Sequence, residues 1–275
     1  MAYKLIACDL DGTLFDSSGR FSEENSKAIE ELSSLGVYFV PASGRTFSDI
    51  PEAVRNHPSV RYIIHSSGAV VYDKETERRI SFCMPGELSH SVLETLFSVE
   101  SHVSVRRLGK TYVDKKLMSR ESFEYYNVWC VHSDLLVDYA FQLDDFNSAM
   151  LSCDNVEMIS VFFKSNDDLE NVARILRQDA RLNVVSVCPY NLEITYKEAD
   201  KGRALTALAD MISLPVCETI AVGDSENDIS MLEAAGLGLA MENSKDMVKM
   251  RADETICHCD EHAVKFIKEK YIENR

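Results

Sequence analysis

Short apolar runs without polar alternation stand near both ends of the chain. Leu5-Ile6-Ala7-Cys8, Val37-Tyr38-Phe39-Val40, Tyr62-Ile63-Ile64 and Thr219-Ile220-Ala221-Val222 are examples. Runs of this kind predict strands of a parallel sheet covered on both faces. Between the first two, Ser22 is placed to cap a helix with Glu23 and Glu24 in its first turn. Ala28, Ile29, Leu32 and Leu35 then recur at helical spacing, and Gly36 follows at the C′ position. Strand, helix and strand at this spacing form a βαβ unit. Val70-Val71-Tyr72 is placed to start a hairpin. From Asp200 the alternation returns. Asp200 caps a helix from Lys201 to about Ile212, and the strand at 219–222 ends at Gly223-Asp224. A helix over Asn227–Ala235 closed by Gly236, a strand at Leu237–Met241 and a last helix over Glu261–Tyr271 complete this part.

The middle of the chain has a different pattern. After Met84-Pro85 come a helix (Leu88–Val99), a strand (Ile159–Phe163), a helix (Asp168–Gln178) and strands at Val184–Val187 and Leu192–Ile194. Strands and helices without βαβ alternation point to an α+β insert. The expected fold class is therefore α/β, a Rossmann-like parallel sheet built from residues 1–83 and 197–275, with a second domain, 84–196, inserted between them.

At 275 residues, 45% hydrophobic and 27% charged, the chain can bury its own core without disulfide or zinc staples. The net charge of −16 changes the picture of its partners. Such a surface repels nucleic acid and anionic membranes, so neither is expected as a partner. An anionic substrate would need a local cationic site. Eight cysteines lie scattered, mostly in apolar runs, and the first residues show no signal-peptide pattern. A reducing, cytoplasmic location is expected.

The chemistry-bearing residues sit at strand ends and helix starts. Asp9 and Asp11 follow the first strand, and residues i and i+2 of a strand point to one side, into the crevice beyond its carboxyl end. Two carboxylates there suit a hard cation such as Mg2+, or a nucleophile and a general acid. Gly12 allows the turn, and Thr13 is placed to fix the first carboxylate by a hydrogen bond. Gly223-Asp224-Ser225-Glu226-Asn227-Asp228 follows another apolar run. Asp224 can add a metal ligand, Asp228 can hold metal-bound water or a lysine, and Asn227 can donate to an anion. Ser43-Gly44 offers a hydroxyl and backbone N–H groups to a phosphate oxygen. Lys201 stands in the first turn of a helix, where the dipole disfavours a cation unless an anion lies nearby.

These four elements, in this order, resemble the motifs of the haloacid dehalogenase superfamily of phosphohydrolases. Asp9-Leu10-Asp11-Gly12-Thr13-Leu14 is similar to the first motif and Ala42-Ser43-Gly44-Arg45 to the second. Lys201-Gly202 resembles the third and Gly223–Asp228 the fourth. The long insert resembles the α/β cap of the Cof-type branch, as do Leu192-Glu193-Ile194-Thr195 and Ala240-Met241 with Asn243. Ser67-Gly68-Ala69 departs from the branch, which usually has Asn at the first position, and Glu242 replaces a usual Gly. The resemblance implies two-step phosphoryl transfer, with Asp9 as nucleophile and Asp11 as acid, then base. It implies one Mg2+ on the Asp9 carboxylate, the Asp11 backbone carbonyl and Asp224. It gives the phosphate oxygens to Lys201, Ser43, Asn227 and the Leu10 and Gly44 amides.

The insert is expected to select a small phosphorylated metabolite, a sugar phosphate or cofactor precursor. Arg45, Arg106, Arg107, Tyr125, Tyr126 and Trp129 are candidate specificity residues. The alternative for these is plain structure, an exposed Arg106-Arg107 pair and an aromatic core. Cys257-His258-Cys259 with His262 matches no closed zinc spacing and reads as incidental. Asp144-Asp145 and Asp167-Asp168 read as solvated charges. A phosphotransferase or mutase, and a non-catalytic binder of a phosphorylated ligand, remain as alternative functions.

Overall fold

The computed structural model describes residues 3–273 apart from 129 and 187. The chain packs into two compact units. The first takes in Met1–Arg45, Ile50–Ser81 and Asp200–Arg275, and the second Thr46–Asp49 and Phe82–Ala199. The first unit opens with β1 (Leu5–Cys8), β2 (Tyr38–Pro41), β3 (Tyr62–His65), β4 (Val70–Asp73) and β5 (Arg79–Ser81). The second contains β6 (Ser101–Arg107), β7 (Lys110–Asp114), β8 (Phe141–Leu143), β9 (Val156–Phe163), β10 (Leu182–Val185) and β11 (Asn191–Tyr196). The chain then returns with β12 (Thr219–Gly223), β13 (Leu237–Ala240) and β14 (Glu254–Thr255). Among the described residues no helix is long and apolar enough to cross a membrane.

The unbroken apolar runs become a parallel sheet in the order β14-β13-β12-β1-β2. Every residue of β1 and β12 is buried, as strands covered on both faces require. The register sets Cys8 level with Val222 on one side and Pro41 on the other. Asp9, Ala42 and Asp224 therefore follow the sheet at one edge, at the carboxyl ends of adjacent strands. The tyrosine-led third run forms β3, which meets the end of β2 through an Ala42–Ile64 bridge and then opens an antiparallel β3-β4-β5 sheet. Ser22 caps the helix Glu23–Ser34 by accepting from the Asn25 N–H.

Two helix ends differ from expectation. The segment expected as one helix over 227–235 starts as a tight turn at Glu226–Asp228 and runs on as Ile229–Ala234. Gly236 is not a left-handed cap. A Cβ there would lie 2.3 Å from the Cys217 carbonyl oxygen, so the glycine serves close backbone approach. The last helix is likewise interrupted at His262, whose φ is +60°, between a turn at Cys259–Glu261 and the helix Ala263–Ile267.

The second unit is a sheet in the order β10-β11-β9-β6-β7-β8, antiparallel except where β7 meets β8. Val103 and Val105 of β6, with Ile159, Val161 and Phe163 of β9, pack on the helices Gly86–Phe97 and Asn166–Leu176. His102 and Ser104, the alternate residues of β6, belong to the opposite face. That face carries a smaller apolar cluster, in which Val113 and Phe162 meet Phe123, Tyr126 and Leu136. Although both faces of β6 are covered, valines alternating with His102 and Ser104 give a weaker sequence signal than a continuous apolar run, and the sequence does not single out β6 or β7.

Candidate active site

Asp9 lies at the end of β1 with its side chain buried. Lys201, fully buried at the start of the helix Lys201–Met211, reaches it with Nζ 2.7 Å from Asp9 Oδ1. The same ammonium donates to Asp228 Oδ1 at 2.6 Å. These are short, charge-assisted bonds. They answer the problem of a cation at a helix N-terminus, because two carboxylates offset the dipole there. Burial alone would lower the lysine, but Asp228 and Asp9 outweigh it and hold the amine well above its ordinary value. Asp228 also organises its own loop. Its Oδ2 accepts from the N–H groups of Asp224 and Ser225 at 3.1 and 3.0 Å. Of the two roles open to Asp228, the structure shows the lysine.

Asp11 does not follow Asp9 into this cluster. Strand pairing stops at Cys8, and residues 10–14 turn tightly, closed by the Phe15 N–H on the Leu10 carbonyl at 2.9 Å. Strand parity therefore fails as a reason for placing Asp11. Its half-exposed carboxylate instead accepts from Arg45 Nε at 2.9 Å and Nη2 at 2.7 Å, a two-bond fork. Arg45, expected to read substrate, is thus first a partner of Asp11. Thr13 also departs from expectation: among the described residues its buried hydroxyl has no hydrogen-bond partner, so it does not fix Asp9. Gly12 has φ +80°, and a Cβ there would lie 2.6 Å from Asp224 Oδ2. Only glycine allows the turn to press against Asp224.

The second motif enters the same edge. Ser43 is buried, its N–H donates to the Ile64 carbonyl at 2.9 Å, and its Oγ accepts from the Arg45 N–H at 3.1 Å. A Cβ on Gly44 would lie 3.3 Å from Ser67 Oγ and 3.6 Å from Asn227 Nδ2, so these groups converge. Asn227 Oδ1 accepts from Ser225 Oγ at 2.7 Å, which orients the amide. Ser67, in a left-handed conformation with φ +55°, lines this approach although the sequence marked it only as a departure.

One oxygen from each of Asp9, Asp224 and Asp228 lies within 4.8 Å of the others. Three carboxylates share one ammonium. Burial first, and then the Asp228 charge, push Asp224 up to about 6. Asp224 Oδ1 is buried and has no hydrogen-bond partner among the described residues. A hard oxygen set with excess negative charge and an orphaned oxygen fits a divalent cation. A second group, His258, Cys259 and Asp260, comes from consecutive residues of one turn. Asp260 already accepts from the Ser17 N–H at 2.8 Å, and His262 Nδ1 lies 3.1 Å from Ser22 Oγ.

The remaining specificity candidates belong to the second unit. Arg106 is half-buried, with Nη1 3.0 Å from the Met158 sulfur, so the expected exposed pair is not observed. Arg107 donates to the Asp154 carbonyl at 2.7 Å. Tyr126 is core, packed edge-to-face on Tyr125. Tyr125 is exposed, and its hydroxyl donates to Glu100 and accepts from Lys164. Trp129 lies outside the described residues. Asp144 pairs with Lys115 in solvent, and Asp167 and Asp168 stand in the first turn of their helix.

Residues 6–267 match the model of the haloacid dehalogenase-like hydrolases. Phosphatase YwpJ of Bacillus subtilis (strain 168) is 30% identical over 95% of this chain and 97% of its own. From the same organism, 5-amino-6-(5-phospho-D-ribitylamino)uracil phosphatase YcsE is 27% identical, covering 91% of this chain and 88% of its own. A haloacid dehalogenase-like hydrolase from Bacteroides thetaiotaomicron superposes with a TM-score of 0.82 at 26% identity, over 98% of this chain and 99% of the other. The chain belongs to the haloacid dehalogenase-like hydrolases, and it is a phosphatase of that family.

Proposed function

We propose that this phosphatase hydrolyses a small phosphorylated metabolite with magnesium, through a phosphorylated Asp9. The observation that carries this reading is Lys201 bonded to Asp9 Oδ1 beside the orphaned Asp224 oxygen. With Oδ1 engaged, Asp9 Oδ2 is the attacking atom. A bond from Oδ2 to phosphorus forms as the bond from phosphorus to the substrate's alkoxide oxygen breaks. Asp11 gives that oxygen its proton, then takes one from the water that cleaves the phospho-aspartate. Inorganic phosphate leaves and both carboxyls return to their starting states. Arg45 donates to both Asp11 oxygens and so orients this carboxylate. Lys201, Ser43, Asn227 and the Leu10 and Gly44 amides hold the phosphate oxygens. Magnesium bound by Asp9, Asp224 and the Asp11 carbonyl would supply positive charge against the phosphate dianion. Lysine and metal together would offset the three negative charges of Asp9, Asp224 and Asp228 in a −16 chain.

The substrate class follows from the need for a phosphate monoester and from the relatives. The name of one of them, a 5-amino-6-(5-phospho-D-ribitylamino)uracil phosphatase, supports testing phosphorylated polyols beside sugar phosphates. A reducing compartment, the cytoplasm, suits the described cysteines, which are free thiols. The test is inorganic phosphate released from sugar phosphates, phosphorylated polyols, nucleotides and pyridoxal phosphate, with and without magnesium. Release is expected only with the metal. Asp9→Asn should lower it by about 10⁴-fold or more. Near-normal turnover in that variant removes Asp9 as nucleophile. No inorganic phosphate, with a phosphorylated sugar formed when a sugar acceptor is added, would favour a phosphotransferase.

A further inference from the structure

Two asparagine side chains donate to carbonyls of the turn at 10–14. Asn243 Nδ2 donates to the Gly12 carbonyl at 2.8 Å, while its Oδ1 accepts from the Cys259 N–H at 3.1 Å. Asn25, buried, repeats the arrangement at the end of the turn. Its Nδ2 donates to the Leu14 carbonyl at 3.1 Å and its Oδ1 accepts from the Val264 N–H at 3.1 Å. Each amide points its donor at the turn and its acceptor at the segment 259–264. No other side chain of that size offers one donor and one acceptor in this order. A carboxylate would set an oxygen against a carbonyl. The segment adds its own contacts, from the Asp260 carboxylate to the Ser17 N–H and from His262 to Ser22.

We infer that Asn243 is a positioning residue for the phosphatase reaction, acting through Gly12, with Asn25 as its counterpart at the other end of the turn. Gly12 is the residue pressed against Asp224, and it follows Asp11 directly. Holding the Gly12 carbonyl fixes the distance between the turn and the Asp224 carboxylate, and with it the backbone that carries Asp11. Residues 259–264 thus brace, through the two asparagines, a turn near the other end of the chain. This rests on the function proposed above.

The test compares the intact protein with Asn243→Ala and Asn243→Asp. Three quantities are measured: turnover with its KM, competitive inhibition by inorganic phosphate, and hydrogen exchange of the peptide covering 9–17. Loss of positioning lowers kcat by about 10–100-fold. KM and phosphate inhibition stay within about three-fold, the aspartate variant is slower than the alanine, and exchange of the turn is about five-fold faster. Cooperative melting persists, within about 5 °C of the parent. A kcat within two-fold of the parent overturns the inference. So does unchanged exchange at 9–17, and so does loss of cooperative melting in the alanine variant, which would make the amide a general structural support. If the parent releases no phosphate from any compound, the proposed function fails. The exchange measurement then still decides whether Asn243 holds the turn.

Discussion

In the first unit Lys201 is sealed between Asp9 and Asp228, three formal charges brought together without solvent. In the second, the sheet buries polarity of another kind. Ser104 Oγ donates to the Ser160 carbonyl, Asn191 Nδ2 to Ser160 Oγ and the Val161 carbonyl, and Thr111 Oγ1 to Asp49. Most of these bonds join neutral groups. Neutral networks in a sheet help to specify register at modest cost. Buried ion pairs are a weak source of stability, since desolvation offsets much of the Coulomb attraction. Their concentration at the carboxyl edge of a parallel sheet is therefore better explained by chemistry than by folding.

The comparison breaks most visibly at Lys201. Lys201→Met leaves two carboxylates buried side by side, and is expected to lose about 3–5 kcal/mol of stability. Tm should fall by about 10 °C, and phosphate release should vanish into the background. A variant as stable as the parent would show that the carboxylates shed their charge or find solvent. Melting curves with and without magnesium would then separate the two, because a cation can stand in for the lysine only if the carboxylates remain charged.

Each unit also contains a buried histidine, and acid sharpens the contrast between them. Burial lowers His65 in the first unit to about 3 and His102, set against Phe123 and Tyr126 in the second, to about 4. Both folded values lie below the ordinary 6.5, so the unfolded chain takes up protons that the folded one refuses. The stability each contributes is complete above pH 6.5. It is lost as pH falls toward 4 for His102 and toward 3 for His65. At pH 4.5 the loss from His102 is about 2–3 kcal/mol. His102→Phe should flatten the Tm profile between pH 7.5 and 4.5 by that amount. A parallel profile in the variant would remove His102 as a source of the acid sensitivity.

The smallest effect belongs to the surface. Asp144→Ala removes a pair with Lys115 in which both side chains are more than half exposed. Stability should change by less than about 0.5 kcal/mol, and Tm by less than about 2 °C. A larger shift would mean that the turn before the helix Phe146–Leu151 depends on that charge.

The first unit was the more legible. Its strands β1, β2, β12 and β13 are almost wholly apolar, so a local window of four residues reports them, and the motif residues stand where those windows end, whereas the short, polar β5 and β14 give no such signal. The second unit was read only in part. Strands such as β6 alternate Val103 and Val105 with His102 and Ser104, and without the partner strand such a stretch resembles a loop. Within the site, sequence identified Asp9, Asp224, Asp228 and Lys201 as candidates because their types and places match the chemistry. It did not assign Arg45 to Asp11, nor give a role to Asn25 or Asn243.

Sequence by itself determined the class of fold, the edge of the sheet where chemistry gathers and the residue types available there. Burial pattern and helix start are properties of neighbouring residues, and the chain displays them directly. Only the tertiary structure decided which donor meets which acceptor. Asp11 turned to Arg45 because pairing ended at Cys8, Asp228 chose Lys201 because β12 lies level with β1, and Asn243 spans Gly12 and Cys259. Hydrogen bonds act over about 3 Å. Which distant segments come within that reach is set by strand register and by the packing of the last residues, and local sequence records neither.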